Sequence, residues 1–356
     1  MGGDDDLRRS IRTLQVAFTY MGTVVGAGFA TGQEILQFFT RFGHLASLTI
    51  LLTTVFICWL GTKIMLIAQD IGATSYEDLN RHLFGEQAGR WISLLSMLNL
   101  FSVSAVMLAG AGSVFQEQFG IAYNTGLALT MGVAFLLLLR GITSIMAVNS
   151  LVVPFMLTYT VLVVIITAKQ PMSGNWLTLA SVESPLKMVS YAFMYIAGNL
   201  ALAQAVLVPI GSNTKDRTVL YRGGIIGGCG IGFMLLAGHF ALSAHMPGVM
   251  RYEIPMGYTV SVLGSTVQIL IVTVIFAEIF TTLLSNVYGL SLQIQRYIQW
   301  RRPVLIAVIL ITCCAISQVG FSRLLSFLYP LFGLISLVWL AGIFMSKPPL
   351  PRSVRD

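Results

Sequence analysis

Two carboxylates lie inside otherwise apolar stretches, each among residues that offer oxygen ligands or free the backbone. Glu34 closes residues 22–34 (GTVVGAGFATGQE), where Gly22, Gly26, Gly28 and Gly32 recur and Gln33 precedes the acid. Glu278 heads a second set, with Thr281, Thr282 and Ser285 following at helical spacing on one face and Asn286 beside them. A carboxylate in hydrocarbon is expensive and marks a function by default. Carboxylate, hydroxyl and freed carbonyl oxygens are hard ligands suited to a small cation. Each glycine weakens a helix by about 1 kcal/mol relative to alanine, and freed backbone groups at membrane depth must face protein or a water-filled cavity. Residues 22–34 therefore read as a discontinuous helix whose unwound centre binds something at mid-membrane. Two plainer readings stand beside this one. Gly22-Gly26 and Gly28-Gly32 fit small-xxx-small packing, and the hydroxyls can bond back to their own helix carbonyls.

Other chemistries find no support. There is no His-Glu-x-x-His, no Gly-x-Ser-x-Gly and no carboxylate cluster, so an enzyme is not expected and no catalytic residue is named. The glycines of residues 223–232 do not form a dinucleotide fingerprint, because Phe233 stands where the third glycine belongs; packing or flexing of a helix accounts for them. His239 and His245 read as packed or interfacial. Cys58, Cys229, Cys313 and Cys314 lie in apolar runs without metal spacing and read as small hydrophobes. No cleavable signal peptide is expected ahead of the first span. Asp6 stands where myristoylation needs Ser or Thr.

The elements that must position these groups are membrane spans. Of the 356 residues 56% are hydrophobic and 10% charged, against about 25% charged in soluble domains, and mean hydropathy is +0.82. At about 20 apolar residues per crossing, ten spans are expected at 14–40, 45–68, 91–115, 122–139, 142–167, 187–210, 221–245, 257–291, 303–319 and 322–346. With the N-terminus inside, sixteen of the 21 lysines and arginines fall on the inner side and five on the outer. Both termini are thus expected in the cytoplasm. The net charge of +7 belongs to that face, and no nucleic-acid partner is needed to explain it.

Between spans two and three, residues 74–85 read as a short amphipathic surface helix capped by Ser75 with Asp78. In the third span Asn99 and Ser102 precede a run of small residues suited to packing; in the fifth, Pro154 follows Asn149 and Ser150. The sixth span repeats the oddity of the first, with Tyr191, Tyr195, Ala197, Gly198, Asn199 and Gln204 interrupting an apolar helix. Two interrupted helices five spans apart mark two inverted five-helix halves. The domain expectation is a tail at 1–13, repeats at 14–167 and 187–346, and a tail at 347–356.

The stretch GTVVGAGFATGQEILQFF resembles the first helix of bacterial YkvI-type membrane proteins, and the likeness runs over essentially the whole chain. More distantly the chain is similar to the amino acid–polyamine–organocation superfamily with its LeuT-type fold. That resemblance implies an all-α membrane protein of about ten helices, built as a 5+5 inverted repeat with helices one and six broken. It implies a secondary transporter in a bacterial inner membrane, moving an amino acid or related amine by alternating access. The substrate residues implied or suggested are Gly26, Ala27, Gly28, Phe29, Gln33, Glu34, Tyr195, Gly198 and Asn199. One sodium ion is the implied coupling ion, at the carbonyls of Gly22 and Val25 with Glu278, Thr281 and Thr282; no other cofactor is implied. Phe29 replaces the polar residue that serves a second sodium in some members. Glu278 stands where the superfamily offers only a carbonyl, so it either adds charge to the site or titrates. A proton-coupled or uncoupled transporter of the same fold is the alternative, and behind it a channel or a membrane-embedded enzyme.

Overall fold

A computed structural model describes residues 2–181, 184–251, 255–260, 265–318 and 336–346. The described residues are helical, as expected. In chain order the helices are α1 (Gly2–Val24), α2 (Ala27–Ala30), α3 (Gln33–Phe38), α4 (Ala46–Ile71), α5 (Tyr76–Phe84), α6 (Glu86–Phe119), α7 (Tyr123–Leu138) and α8 (Ile142–Ala168). There follow α9 (Asn175–Thr178), α10 (Pro185–Asn213), α11 (Arg217–Ser243), α12 (Pro255–Val260), α13 (Ser265–Gln295), α14 (Arg302–Ser317) and α15 (Ser336–Met345). Six of them, α4, α6, α8, α10, α11 and α13, are long and apolar enough to cross a bilayer unaided. The apolar helices α7, α14 and α15 are shorter.

The first expected span is interrupted: α1 stops at Val24, and the chain restarts as α2 and α3. The expected charged tail at 1–13 is part of α1. The eighth span, expected over 257–291, falls on α12 and α13, with 261–264 outside the described residues. The 347–356 tail and most of the tenth span, with Ser326 and Pro330, lie outside the described residues.

One expectation is corrected. The sixth span, α10, runs unbroken from Pro185 to Asn213 through Gly198 and Asn199. Its polar amides bond back to the helix without unwinding it: Asn199 Nδ2 donates to the Tyr195 carbonyl at 3.1 Å, and Gln204 Nε2 donates to that of Ala201 at 2.9 Å.

The glycine run of α11 lets backbones meet. A Cβ on Gly228 would lie 2.7 Å from the Cα of Cys58 in α4, and one on Gly227 would lie 2.8 Å from the Tyr20 ring in α1. Tyr20 is fully buried, and its hydroxyl donates to the Ile57 carbonyl at 2.8 Å. The result is a tight α1–α4–α11 packing, with α10 against α4 and α1 against α8, α10 and α13. The broken helix thus runs through the middle of the molecule.

At the end of the molecule that holds the start of α1, α5 is pinned in place. Ser75 and Asp78 form the expected capping box. The buried Glu77 carboxylate accepts hydrogen bonds from Gln293 and from the Tyr297 hydroxyl, and pairs with Arg81. Burial alone would raise the Glu77 carboxyl; the bonds from Tyr297 and Gln293, with the Arg81 and Arg296 guanidiniums, hold it below its ordinary value. Arg296 also bonds to Ser75 Oγ at 3.0 Å, tying α5 to the end of α13.

Candidate functional site

The break in the first span leaves specific backbone groups unused. Val25 N–H donates to the Met21 carbonyl at 2.8 Å, and the Phe29 and Ala30 amides both reach the Gly26 carbonyl at 3.0 Å. Among the described residues no backbone amide bonds to the carbonyls of Gly22 or Val25, and the Gly26 amide bonds to no backbone carbonyl. These are the two carbonyls expected to face a cation.

α13 brings its polar stripe to this break. A Cβ on Gly26 would lie 3.3 Å from Thr282 Oγ1, so the hydroxyl faces the unwound backbone. Thr282 is 7% exposed, and its hydroxyl has no hydrogen-bond partner. Glu278 is 0% exposed, with neither carboxylate oxygen partnered. The Thr281 hydroxyl donates to the Glu278 carbonyl at 3.2 Å, so back-bonding holds for this threonine but not for Thr282. Ser285 is buried one turn further along, its hydroxyl also unpartnered. Buried polar groups are nearly always hydrogen-bonded, so this cluster is what a polar ligand or ion would satisfy.

α8 supplies a residue that sequence reasoning noted but gave no role. Asn149 is fully buried; its Nδ2 donates to the Ile145 carbonyl at 3.0 Å, while its Oδ1 is unpartnered and lies against Gly22. A Cβ on Gly22 would lie 2.8 Å from the Asn149 Cγ. The available signal was an amide in an apolar span next to a kink-forming proline.

Glu34 is not where a straight helix would put it. Counting along the sequence places it about 9 Å beyond the break. Instead Gly32 adopts φ 84°, a left-handed conformation suited to glycine, and turns the chain between α2 and α3. The Glu34 side chain folds back onto Gly28, where an added Cβ would lie 2.8 Å from its Cγ and 2.9 Å from its Cδ. Glu34 and Glu278 are thereby within coulombic reach of each other. Among the described residues Lys63 is the one buried lysine or arginine, and it is committed elsewhere: its Nζ donates to the carbonyls of Ile343 at 2.9 Å and Ser346 at 2.6 Å.

The remaining expected residues are placed less tightly. Tyr195 is buried under α3, edge-on to Phe39 with ring centroids 5.1 Å apart and to Phe38 at 5.7 Å. An added Cβ on Gly198 meets nothing within 4 Å. No described contact joins Gly198 or Asn199 to the break. Phe29 and Ala30 instead line an apolar pocket with Met156, Tyr159, Met234 and Met256. That pocket contains none of the polar cluster, so the unpartnered oxygens locate the site.

No family model matches the chain. The chain is 38% identical over 343 residues to the membrane protein YkvI of Bacillus subtilis (strain 168), covering 96% of this chain and 97% of that one. The chain belongs to the YkvI family of membrane proteins. Two solved structures resemble its fold. A Na+-coupled sialic acid symporter in a substrate-bound outward-open state matches with TM-score 0.68 and 14% identity, covering 94% of this chain and 79% of that one. MhsT in complex with L-phenylalanine matches with TM-score 0.65 and 17% identity, covering 94% and 92%. This YkvI-family chain therefore has the LeuT-type fold, and the broken α1–α3 segment is its first helix.

Proposed function

We propose that the protein is a secondary transporter that carries a small polar solute across the membrane by alternating access, coupled to one sodium ion. The observation that carries this reading is the meeting of two incomplete sets of ligands: the unused Gly22 and Val25 carbonyls of the break, and the unpartnered Thr282 hydroxyl and Glu278 carboxylate of α13. Thr281 completes the set with the hydroxyl oxygen that also donates to its own helix. Neutral oxygens and one carboxylate are a hard-ligand set that suits sodium. Binding there would satisfy groups that otherwise stay buried without partners.

The solute sits beside the ion, at Gly26, Ala27, Gly28 and Phe29 of the break, with Gln33, Glu34 and Tyr195 above and Gly198 and Asn199 on the facing helix. Both termini lie in the cytoplasm of a bacterial inner membrane, as the distribution of basic residues supports. The rival is proton coupling, favoured by one fact: Glu278 is a fully buried carboxylate. In that case Glu278 carries the proton and the hydroxyls are structural.

Ligand binding to purified protein separates the two. With sodium coupling, solute affinity rises when sodium replaces choline at constant ionic strength, and solute tightens sodium by the same factor. Affinity that ignores sodium but follows pH, with the pH dependence removed by Glu278→Gln, establishes protons instead.

A further inference from the structure

The break in the first helix already has a carboxylate against it. The left-handed turn at Gly32 swings Glu34 back so that its side chain packs directly on Gly28, the residue whose missing Cβ makes the room. We infer that Glu34 stands in for a substrate carboxylate, and that the solute is a cation carrying no carboxylate of its own: an organic amine. This rests on the transporter reading and narrows the substrate class of the same site.

Three further observations support it. Glu278 is fully buried with both oxygens unpartnered and lies within coulombic reach of Glu34, so a positive group between them would meet two acids. Thr282, buried and with its hydroxyl unpartnered, faces Gly26 between them and offers an acceptor to an ammonium. Two cationic side chains are engaged elsewhere: Lys63 is bound to the end of α15, and Arg41 lies over the rings of Phe42 and Tyr191 at 5.1 and 4.9 Å. A solute carboxylate would enter a low-dielectric site that already holds two others.

The test uses purified full-length protein and matched probes that differ only in the carboxylate: phenethylamine against L-phenylalanine, cadaverine against L-lysine, ethylamine against L-alanine. Each is titrated by thermal shift at fixed sodium, and those that bind are assayed for saturable exchange in proteoliposomes. At least one amine should bind, and its amino acid should bind at least about tenfold more weakly. Glu34→Gln, which keeps the shape but removes the charge, should weaken that amine by about tenfold or more. Glu34→Ala, which also clears the space over Gly28, should reverse the preference within the pair. An amino acid that binds wild-type protein as well as its amine overturns the inference, and saturable exchange of that amino acid leaves the transporter reading standing. If no probe in either set binds or exchanges, both fall.

Discussion

Replacing Glu278 with Gln should change how the protein responds to sodium more than it changes the fold. In choline buffer the wild type holds a buried carboxylate whose oxygens have no partner. The amide removes that charge at almost constant shape, so Glu278→Gln should be at least as stable as wild type there. Sodium changes the ranking. At a hundredfold excess over its Kd a bound ion adds about 2.7 kcal/mol. Unfolding entropy of about 2.1 cal/mol/K per residue over 356 residues amounts to roughly 0.75 kcal/mol/K. Wild type should then melt about 4 °C higher in sodium than in choline. Losing the charged ligand costs about 3 kcal/mol of ion binding, which raises Kd by more than about a hundredfold and shrinks the sodium shift below about 1 °C. Differential scanning fluorimetry in matched sodium and choline buffers reads both shifts. If the variant gains as much from sodium as wild type, Glu278 is not part of the ion site and the reasoning fails.

Other substitutions probe the rest of the arrangement. Gly28→Val should abolish solute binding while the protein still inserts and elutes as a single species, because the new side chain collides with Glu34; retained affinity would show that Gly28 serves packing alone. Thr282→Ala should weaken sodium by about tenfold, as read by sodium titration of solute binding. Glu77→Ala, which leaves Arg81, Gln293 and Tyr297 without their shared acceptor, should cost about 3 kcal/mol in thermal or denaturant unfolding. Because the folded Glu77 carboxyl is held below its ordinary value, its contribution is complete above the unfolded carboxylate range near pH ~4.3. That contribution is lost as pH falls through the lower folded value, so the wild-type advantage over Glu77→Gln should shrink on acidification. Cysteines at Ser173 and Lys215 should label from opposite sides of the membrane, Ser173 from outside; labelling of both from outside in intact cells would contradict the assigned orientation.

Much of the fold was legible where local chemistry decides it. Glycine at positions 22, 26 and 28 weakens a helix regardless of its surroundings, so the break before α2 could be placed from the sequence. The Ser75–Asp78 capping box is a three-residue spacing and needs no tertiary information to read. The sixth span misled because a polar residue in an apolar helix has two outcomes, unwinding or bonding back to its own backbone. Asn199 and Gln204 take the second, and nothing in their spacing distinguishes it. Glu34 was identified as a site residue, but its distance from the break was set by the φ of Gly32, a single dihedral that turns a straight extrapolation into a hairpin. Lys63, read only as part of a charge asymmetry, proves to be an anchor for the carbonyls that end α15, a contact between residues 280 positions apart. Asn149 had no periodic partner in the sequence, and its role depends on which helix lies opposite Gly22.

Solute counterflow in proteoliposomes tests the central claim most directly. Vesicles preloaded with an unlabelled solute that binds the purified protein are diluted into labelled solute, with sodium or choline on both sides. The meeting of the broken first helix with α13 requires saturable, transient accumulation of label that is strong in sodium, weak in choline, and lost in Gly28→Val. Label entry that is linear in concentration, or saturable exchange untouched by Gly28→Val, would contradict alternating access through this site.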